Sequence, residues 1–244
     1  MAVTELILVR HGESIGNVAR EEAESSGALS IDMPMRDPDV PLSELGERQA
    51  RAVGQWLAAD PDRRPGAVWS SPYLRARQTA QLALAELADP PEIRQDERIR
   101  DRELGVLDLL TRHGVTTRFP AEAERRRWLG KFYYRPPGGE SWVDLVLRIR
   151  AFLADLNRLP GPGRNLIVSH DAVILLFRYV CEGLDEDRVF EIARTGSVTN
   201  ASVTRLVRDG ADGRWRTAVY NDHQHLEQFG APATEHPGEI DVAR

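Results

Sequence analysis

The sequence is short of the residues on which several large enzyme classes depend. Cys181 is the only cysteine among 244 residues, so an internal disulfide or a multi-cysteine zinc site is impossible. A cysteine phosphatase needs Cys-x5-Arg around its anion, and Arg188 follows Cys181 one position too late. Cys181 therefore reads as a buried helix residue. Lys131 is the only lysine, and Gly130-Lys131-Phe132 has neither the hydroxyl residue nor the upstream glycine spacing of a phosphate-binding loop, which excludes nucleotide hydrolysis by that route. Pro160-Gly-Pro-Gly163 lacks a third glycine and precedes a strand, so it is no dinucleotide fingerprint. A basic excess is also missing: the formal net charge is -6, which argues against nucleic acid or a membrane surface as a general partner. No apolar stretch reaches the length of a membrane span, and Met-Ala-Val-Thr-Glu lacks a positive n-region, so a cytoplasmic location is expected.

What is present is arginine, the side chain best shaped for planar recognition of phosphate, and an apolar content of 41%, ample for a core. Leu6-Ile-Leu-Val-Arg-His-Gly-Glu-Ser-Ile-Gly-Asn17 opens as a buried strand and ends abruptly in Arg10, His11 and Gly12. A guanidinium can hold a phosphoryl group in bidentate fashion while a neighbouring imidazole nitrogen attacks the phosphorus. Gly12 would let the backbone approach such an anion. Glu13, Ser14 and Asn17 can supply orienting hydrogen bonds.

Residues 18–41 are polar and without clear period, and predict a long loop, with a Pro-Asp turn at Asp37-Pro-Asp39. Ser43 caps a helix whose buried face carries Leu45, Ala52, Val53, Trp56 and Leu57. Ala67–Ser70 is a second strand, followed by a turn and a helix that places Arg75 in its first turn. An arginine is electrostatically unfavourable there; a bound anion explains it, with a solvated side chain as the alternative. Residues 92–100 read as an extended edge segment. Residues 106–139 read as a capping excursion holding a charged helix, 122–131, whose Arg125–Arg127 run suits a solvated face. Ser141 caps the next helix, to Leu159; Asn165–Ser169 is a third strand ending in His170-Asp171; helices follow over 172–181 and 185–194. A hairpin pairs 202–207 with 215–220 across Asp209–Gly213, and residues from Gly230 form a poorly ordered tail, so the domain spans 1–229. His223-x-His225 has no further ligand nearby and is not expected to bind metal. Ser169, His170 and Asp171 cannot form a hydrolase triad, because neighbours at a strand end point in different directions.

Arg10-His11, the Arg75 turn and His170 thus sit at three strand ends. In a mainly parallel sheet those ends share one edge, and three weak signals become one joint prediction, an α/β fold with an anion site there.

Here the sequence resembles the histidine phosphatase superfamily, also called the phosphoglycerate mutase-like family. Leu8-Val-Arg-His-Gly-Glu-Ser14 is similar to its signature and Gly16-Asn17 extends the match. Ser70–Ala80, Pro137-Gly-Gly-Glu-Ser141, Val168-Ser-His170 and Tyr220–Leu226 continue the resemblance in order. The resemblance implies a three-layer α/β/α sandwich, His11 as the nucleophile that becomes phosphorylated, and Arg10, Arg75 and His170 as the phosphate pocket, with Ser14 and Asn17 beside it. It also implies no cofactor and no metal, since guanidiniums and an imidazolium offset the phosphate's charge. The sequence departs from the family at the general acid. Where the family has a glutamate four residues before a glycine, this chain has Asp101, one methylene shorter and more acidic; Glu103 is the alternative, having the expected side chain at a different spacing.

The expected function is a metal-independent phosphomonoesterase acting through phosphohistidine on a small phosphorylated metabolite. The alternatives are a phosphoglycerate-type mutase and a catalytically weak phosphate-ligand module. The expected partner is a small phosphate ester, with a homodimer as the candidate assembly.

Overall fold

A computed structural model describes residues 3–158, 161–208 and 213–236. Its centre is strand β1, Glu5–Arg10, in which Leu6, Ile7, Leu8 and Val9 are all fully buried. A strand buried on both faces needs a helical layer on each. The alternation of β1 supplies both contacts. Leu6 and Leu8, with Ile167, join one core with residues of α6, Trp142–Arg158, and α7, Asp171–Glu182. Ile7 and Val9, with Leu166 and Val168, join a second core with residues of α2, Glu44–Ala58, and α3, Leu74–Leu84. The result is an α/β/α sandwich.

The other strands are β2, Ala67–Ser70, β3, Ile93–Gln95, β4, Arg164–Ser169, β5, Val203–Arg208, and β6, Trp215–Asp222. They form one sheet in the order β3-β2-β4-β1-β5-β6. The first four are parallel, and β5 and β6 run antiparallel at the far edge. Arg10 pairs with Ser169 and Val68–Ser70 pairs with Leu166–Val168, so β1, β2 and β4 end level with one another. That register delivers His11, Ser71 and His170 to the same edge.

Three sequence expectations change and a fourth is extended. Within the region read as a loop, Ile15–Ser25 is a helix, α1. Ser14 and Asn17 form a reciprocal capping box at its start, and of its side chains only Ala23 is buried, so it carries almost no apolar period to read. The excursion 106–139 holds two helices: α4, Arg112–Arg118, and α5, Pro120–Tyr133, which is interrupted at Gly130 with φ 76°. The tail does not begin at Gly230. Ala231 and His236 are buried, and Gln49 Nε2 donates to the carbonyl of Pro232 at 2.8 Å; residues 237–244 lie outside the described residues, as do Leu159 and the 209–212 part of the expected hairpin turn. For Gly12, finally, the structure adds a packing requirement to the anion approach expected of it. A Cβ there would stand 2.4 Å from the carbonyl oxygen of Gly46.

The remaining elements are α8, Glu186–Arg194, and α9, Gln224–Gln228. Among the described residues no helix is long and apolar enough to cross a membrane.

Candidate active site

His11 is 3% exposed and continues β1, its backbone N–H donating to Ser169 O at 2.9 Å. Its ring Nδ1 lies 2.7 Å from the carbonyl oxygen of Gly12. A carbonyl can only accept, so Nδ1 carries the proton and Nε2 keeps a free lone pair. Burial holds the His11 pKa well below its ordinary value, and the charges of Arg75, His170 and Arg10 push it further the same way. The ring is therefore neutral at physiological pH, the state a nucleophile needs.

His170, at the end of β4, stands edge-on to His11 with ring centroids 5.1 Å apart. Its Nε2 is 2.8 Å from Ser71 Oγ and its Nδ1 3.1 Å from Asp101 Oδ2. Burial lowers its pKa despite the neighbouring Asp101 charge. Burial alone would raise the pKa of Asp101, but the charges of His170 and Arg75, with a hydrogen bond from the Arg102 N–H, hold it well below the usual carboxylate range. Arg75 stands on the same carboxylate, 3.0 Å away.

Arg75 sits in the first turn of α3, as expected from the sequence, and is 4% exposed. Its guanidinium donates to the Asp37 carbonyl at 2.7 Å and to the Asp37 carboxylate at 2.9 and 3.3 Å. Burial disfavours its charge, yet Asp37 and Asp101 together raise its pKa. Arg10 donates through its two terminal nitrogens to the carbonyls of Val198 and His236, while its buried Nε has no partner among the described residues. Arg10 also lines the cavity beside His11, so its guanidinium is a buried charge at this site.

The cavity formed here is lined by Arg10, His11, Ser14, Asn17, Arg75 and Asp101, among others. Ser14 and Asn17 spend much of their capacity on each other: Ser14 N–H donates to Asn17 Oδ1 and Asn17 N–H to Ser14 Oγ, both at 3.1 Å. The amide nitrogen of Asn17 is the donor they leave over. Glu103 also lines the cavity, but it is exposed and accepts from Tyr73 Oη at 3.0 Å rather than touching either histidine.

Several residues at the site were not singled out by their sequence. Asp37, read as a turn residue, is the main partner of Arg75. Ser71 holds His170. Asn200 Nδ2 donates to the His11 carbonyl at 3.1 Å, and Thr79 Oγ1 accepts the Gly12 N–H at 3.0 Å. His236 reaches Glu13 Oε2 at 2.9 Å and Glu21 Oε2 at 3.0 Å, so the segment after Gly230 is tied into the wall. His225, by contrast, is a packing residue: it is 2% exposed, its Nε2 is 3.1 Å from Ala201 O, and its ring lies against Trp56. Among the described residues no three histidine, cysteine or acidic side chains are grouped to hold a metal ion.

Known proteins are similar to this chain over most of its length. The family model described as "Histidine phosphatase superfamily (branch 1)" matches residues 6–223. A 2,3-bisphosphoglycerate-dependent phosphoglycerate mutase of Methylobacterium radiotolerans is 31% identical over 86% of this chain and 98% of its own. A metal-independent phosphoserine phosphatase of Arabidopsis thaliana is 29% identical over 93% of this chain and 85% of its own. Among solved structures, mycobacterial glucosyl-3-phosphoglycerate phosphatase in complex with VO3 superposes with a TM-score of 0.70 at 28% identity, covering 91% of this chain and all of that one. Two histidines and two arginines at one sheet edge, in a fold and a sequence pattern shared with these proteins over nearly the whole length, make this chain a member of the histidine phosphatase superfamily, branch 1.

Proposed function

We propose that the protein is a metal-independent phosphomonoesterase that passes the phosphoryl group through His11. The observation that carries this reading is the Gly12 carbonyl on His11 Nδ1, which fixes the tautomer and leaves an uncharged Nε2 free to act as nucleophile, on a residue that lines one cavity with Arg10 and Arg75. The phosphoryl oxygens would take the Arg10 and Arg75 guanidiniums and His170. Arg75 would then exchange carboxylate partners for phosphate, and the dianion would raise the pKa values of both His170 and Asp101.

In the first step the Nε2–P bond forms and the ester P–O bond breaks, with Asp101 giving its proton to the departing alkoxide. In the second, water attacks phosphorus, the Nε2–P bond breaks, and the Asp101 carboxylate takes the water proton. Asp101 fits this role better than Glu103, because it lies within reach of both His170 and Arg75. Its resting pKa is low, so the proton arrives with the substrate or when the bound dianion weakens its hold on Arg75. Positive donors around the equatorial oxygens do the rest of the catalysis.

Phosphate release from p-nitrophenyl phosphate in excess EDTA tests the reading. His11→Ala should reduce it by about 10^4-fold or more, and the wild type should form an acid-labile phosphoenzyme. Equal activity in the variant would refute the assignment. The mutase named above supports a second reading, retention of the phosphoryl group for return to a bound sugar acid. Interconversion of phosphoglycerates faster than phosphate release would favour it.

A further inference from the structure

The phosphate cavity, about 190 Å³, is too small to hold a long alcohol beside the phosphoryl group. One wall of it is core: Trp142 and Phe190 stack at 5.6 Å and are 3% and 8% exposed. The rest of a substrate must leave by another side. A second cavity of about 700 Å³ adjoins the first, and Asn17, Arg20 and Leu104 line both. Its remaining walls come from α1, the 107–111 segment, α4 and α5. Sites for drug-sized ligands typically enclose roughly 300–1,000 Å³.

The lining of this cavity divides by chemistry. Leu104, Leu107 and Leu110 offer an apolar floor; Arg20, Arg126 and Arg127 supply cations. Arg126, partly buried, and Arg127, exposed, thus border this open cavity from the helix face that the sequence suggests is solvated. The acids in the same wall are already engaged. Glu24 accepts the Arg112 backbone N–H at 3.0 Å, and Glu21 lies 3.0 Å from His236. Arg20, partly buried at the junction of the cavities, makes no hydrogen bond or ion pair with the described residues. Its charge acts on Asp108 without a close ion pair, and a partly buried guanidinium of this kind beside an apolar floor suits a ligand that is apolar along its length and anionic at its end.

Resting on the phosphomonoesterase reading, we propose that the substrate alcohol is a long apolar segment ending in a second anion. The apolar part lies on Leu104, Leu107 and Leu110, and the second anion is met by Arg20 and Arg127.

Matched probes test this: n-octyl phosphate, the phosphate monoester of 8-hydroxyoctanoic acid, and octane-1,8-diyl bisphosphate. At low ionic strength kcat/KM for the two doubly anionic probes should exceed that for octyl phosphate by about tenfold, and the better of the two identifies the terminal group as carboxylate or phosphate. In the double variant Arg20→Gln, Arg127→Gln the ratio should fall to about two. The ratio is read within one preparation, so a partly unfolded variant does not disguise the result. Equal rates on all three probes, or an unchanged ratio in the double variant, would overturn the proposal. If p-nitrophenyl phosphate is hydrolysed and none of the alkyl probes is, the cavity assignment falls and the phosphatase reading survives. If no ester is hydrolysed, calorimetric titration decides: about tenfold tighter binding of the carboxylate probe than of octyl phosphate upholds the cavity, and equal binding overturns it.

Discussion

Gly46→Ala sets two physical effects against each other. Gly46 lies in the first turn of α2, where its N–H donates to the Ser43 cap at 3.0 Å. Helix propensity alone favours alanine there by roughly 1 kcal/mol. The structure reverses the sign. An added Cβ would stand 1.9 Å from the Glu13 carbonyl oxygen and 2.8 Å from its carbon, backbone atoms that no rotamer change can move. Relief requires α2 to shift by more than an ångström from the loop after β1, against a second collision that Gly12 already avoids from the other side. Overpacking of this kind costs about 1–3 kcal/mol, and the rigidity of both partners places it at the upper end, so about 2 kcal/mol remains after the propensity gain. At roughly 2.1 cal/mol/K per residue, unfolding entropy for 244 residues is near 0.5 kcal/mol/K, and the melting temperature should fall by about 4 °C. Phosphatase activity should fall further than stability, because the displaced Glu13 holds Ser43 Oγ at 2.6 Å and His236 at 2.9 Å. Calorimetric melting beside steady-state kinetics reads both. A melting temperature equal to or above that of the wild type would show that the backbones are not in contact.

Replacing the acid candidates separates them. With an alkyl phosphate, Asp101→Asn should lower kcat by about 10^2-fold or more, with a smaller loss on p-nitrophenyl phosphate, whereas Glu103→Gln should stay within about twofold on both; a loss confined to Glu103→Gln assigns the role there. Truncation after Gly230 removes the His236 carbonyl from Arg10 and should raise the inhibition constant for inorganic phosphate by about tenfold; an unchanged constant means that Arg10 is oriented without it. Acidification tests the buried imidazoles. Burial pushes the His225 pKa down to about 4, so between pH 6.5 and 4 the unfolded chain binds a proton that the folded chain refuses. Stability is full above pH 6.5 and is lost as pH falls through that window, by about 3 kcal/mol from this residue. His11 and His170, also lowered, act in the same direction. The pH dependence of the urea midpoint should flatten in His225→Gln, and an unchanged slope refutes the assignment to His225.

The parts of this site that the sequence makes legible share one property: each lies at the end of a buried strand. Apolar runs such as Leu6–Val9 and Leu166–Val168 announce themselves, and a parallel sheet then leaves a single edge for Arg10, His11, Arg75 and His170. The same rule could not reach Asp37, which meets Arg75 across 38 positions from a short turn, nor His236, which closes on Glu13 from 223 positions away. Such contacts leave no periodic trace. Helix α1 is hidden for a different reason. Its stability comes from a capping box and from one buried alanine, so its sequence looks like a solvated loop. Yet α1 supplies Asn17 and Arg20 to the walls of both cavities. The candidate catalytic residues are announced by the apolar, strand-forming segments they follow. The walls beyond them depend on polar helices whose placement only the folded chain specifies, which is why the second cavity has no counterpart in a reading of the sequence alone.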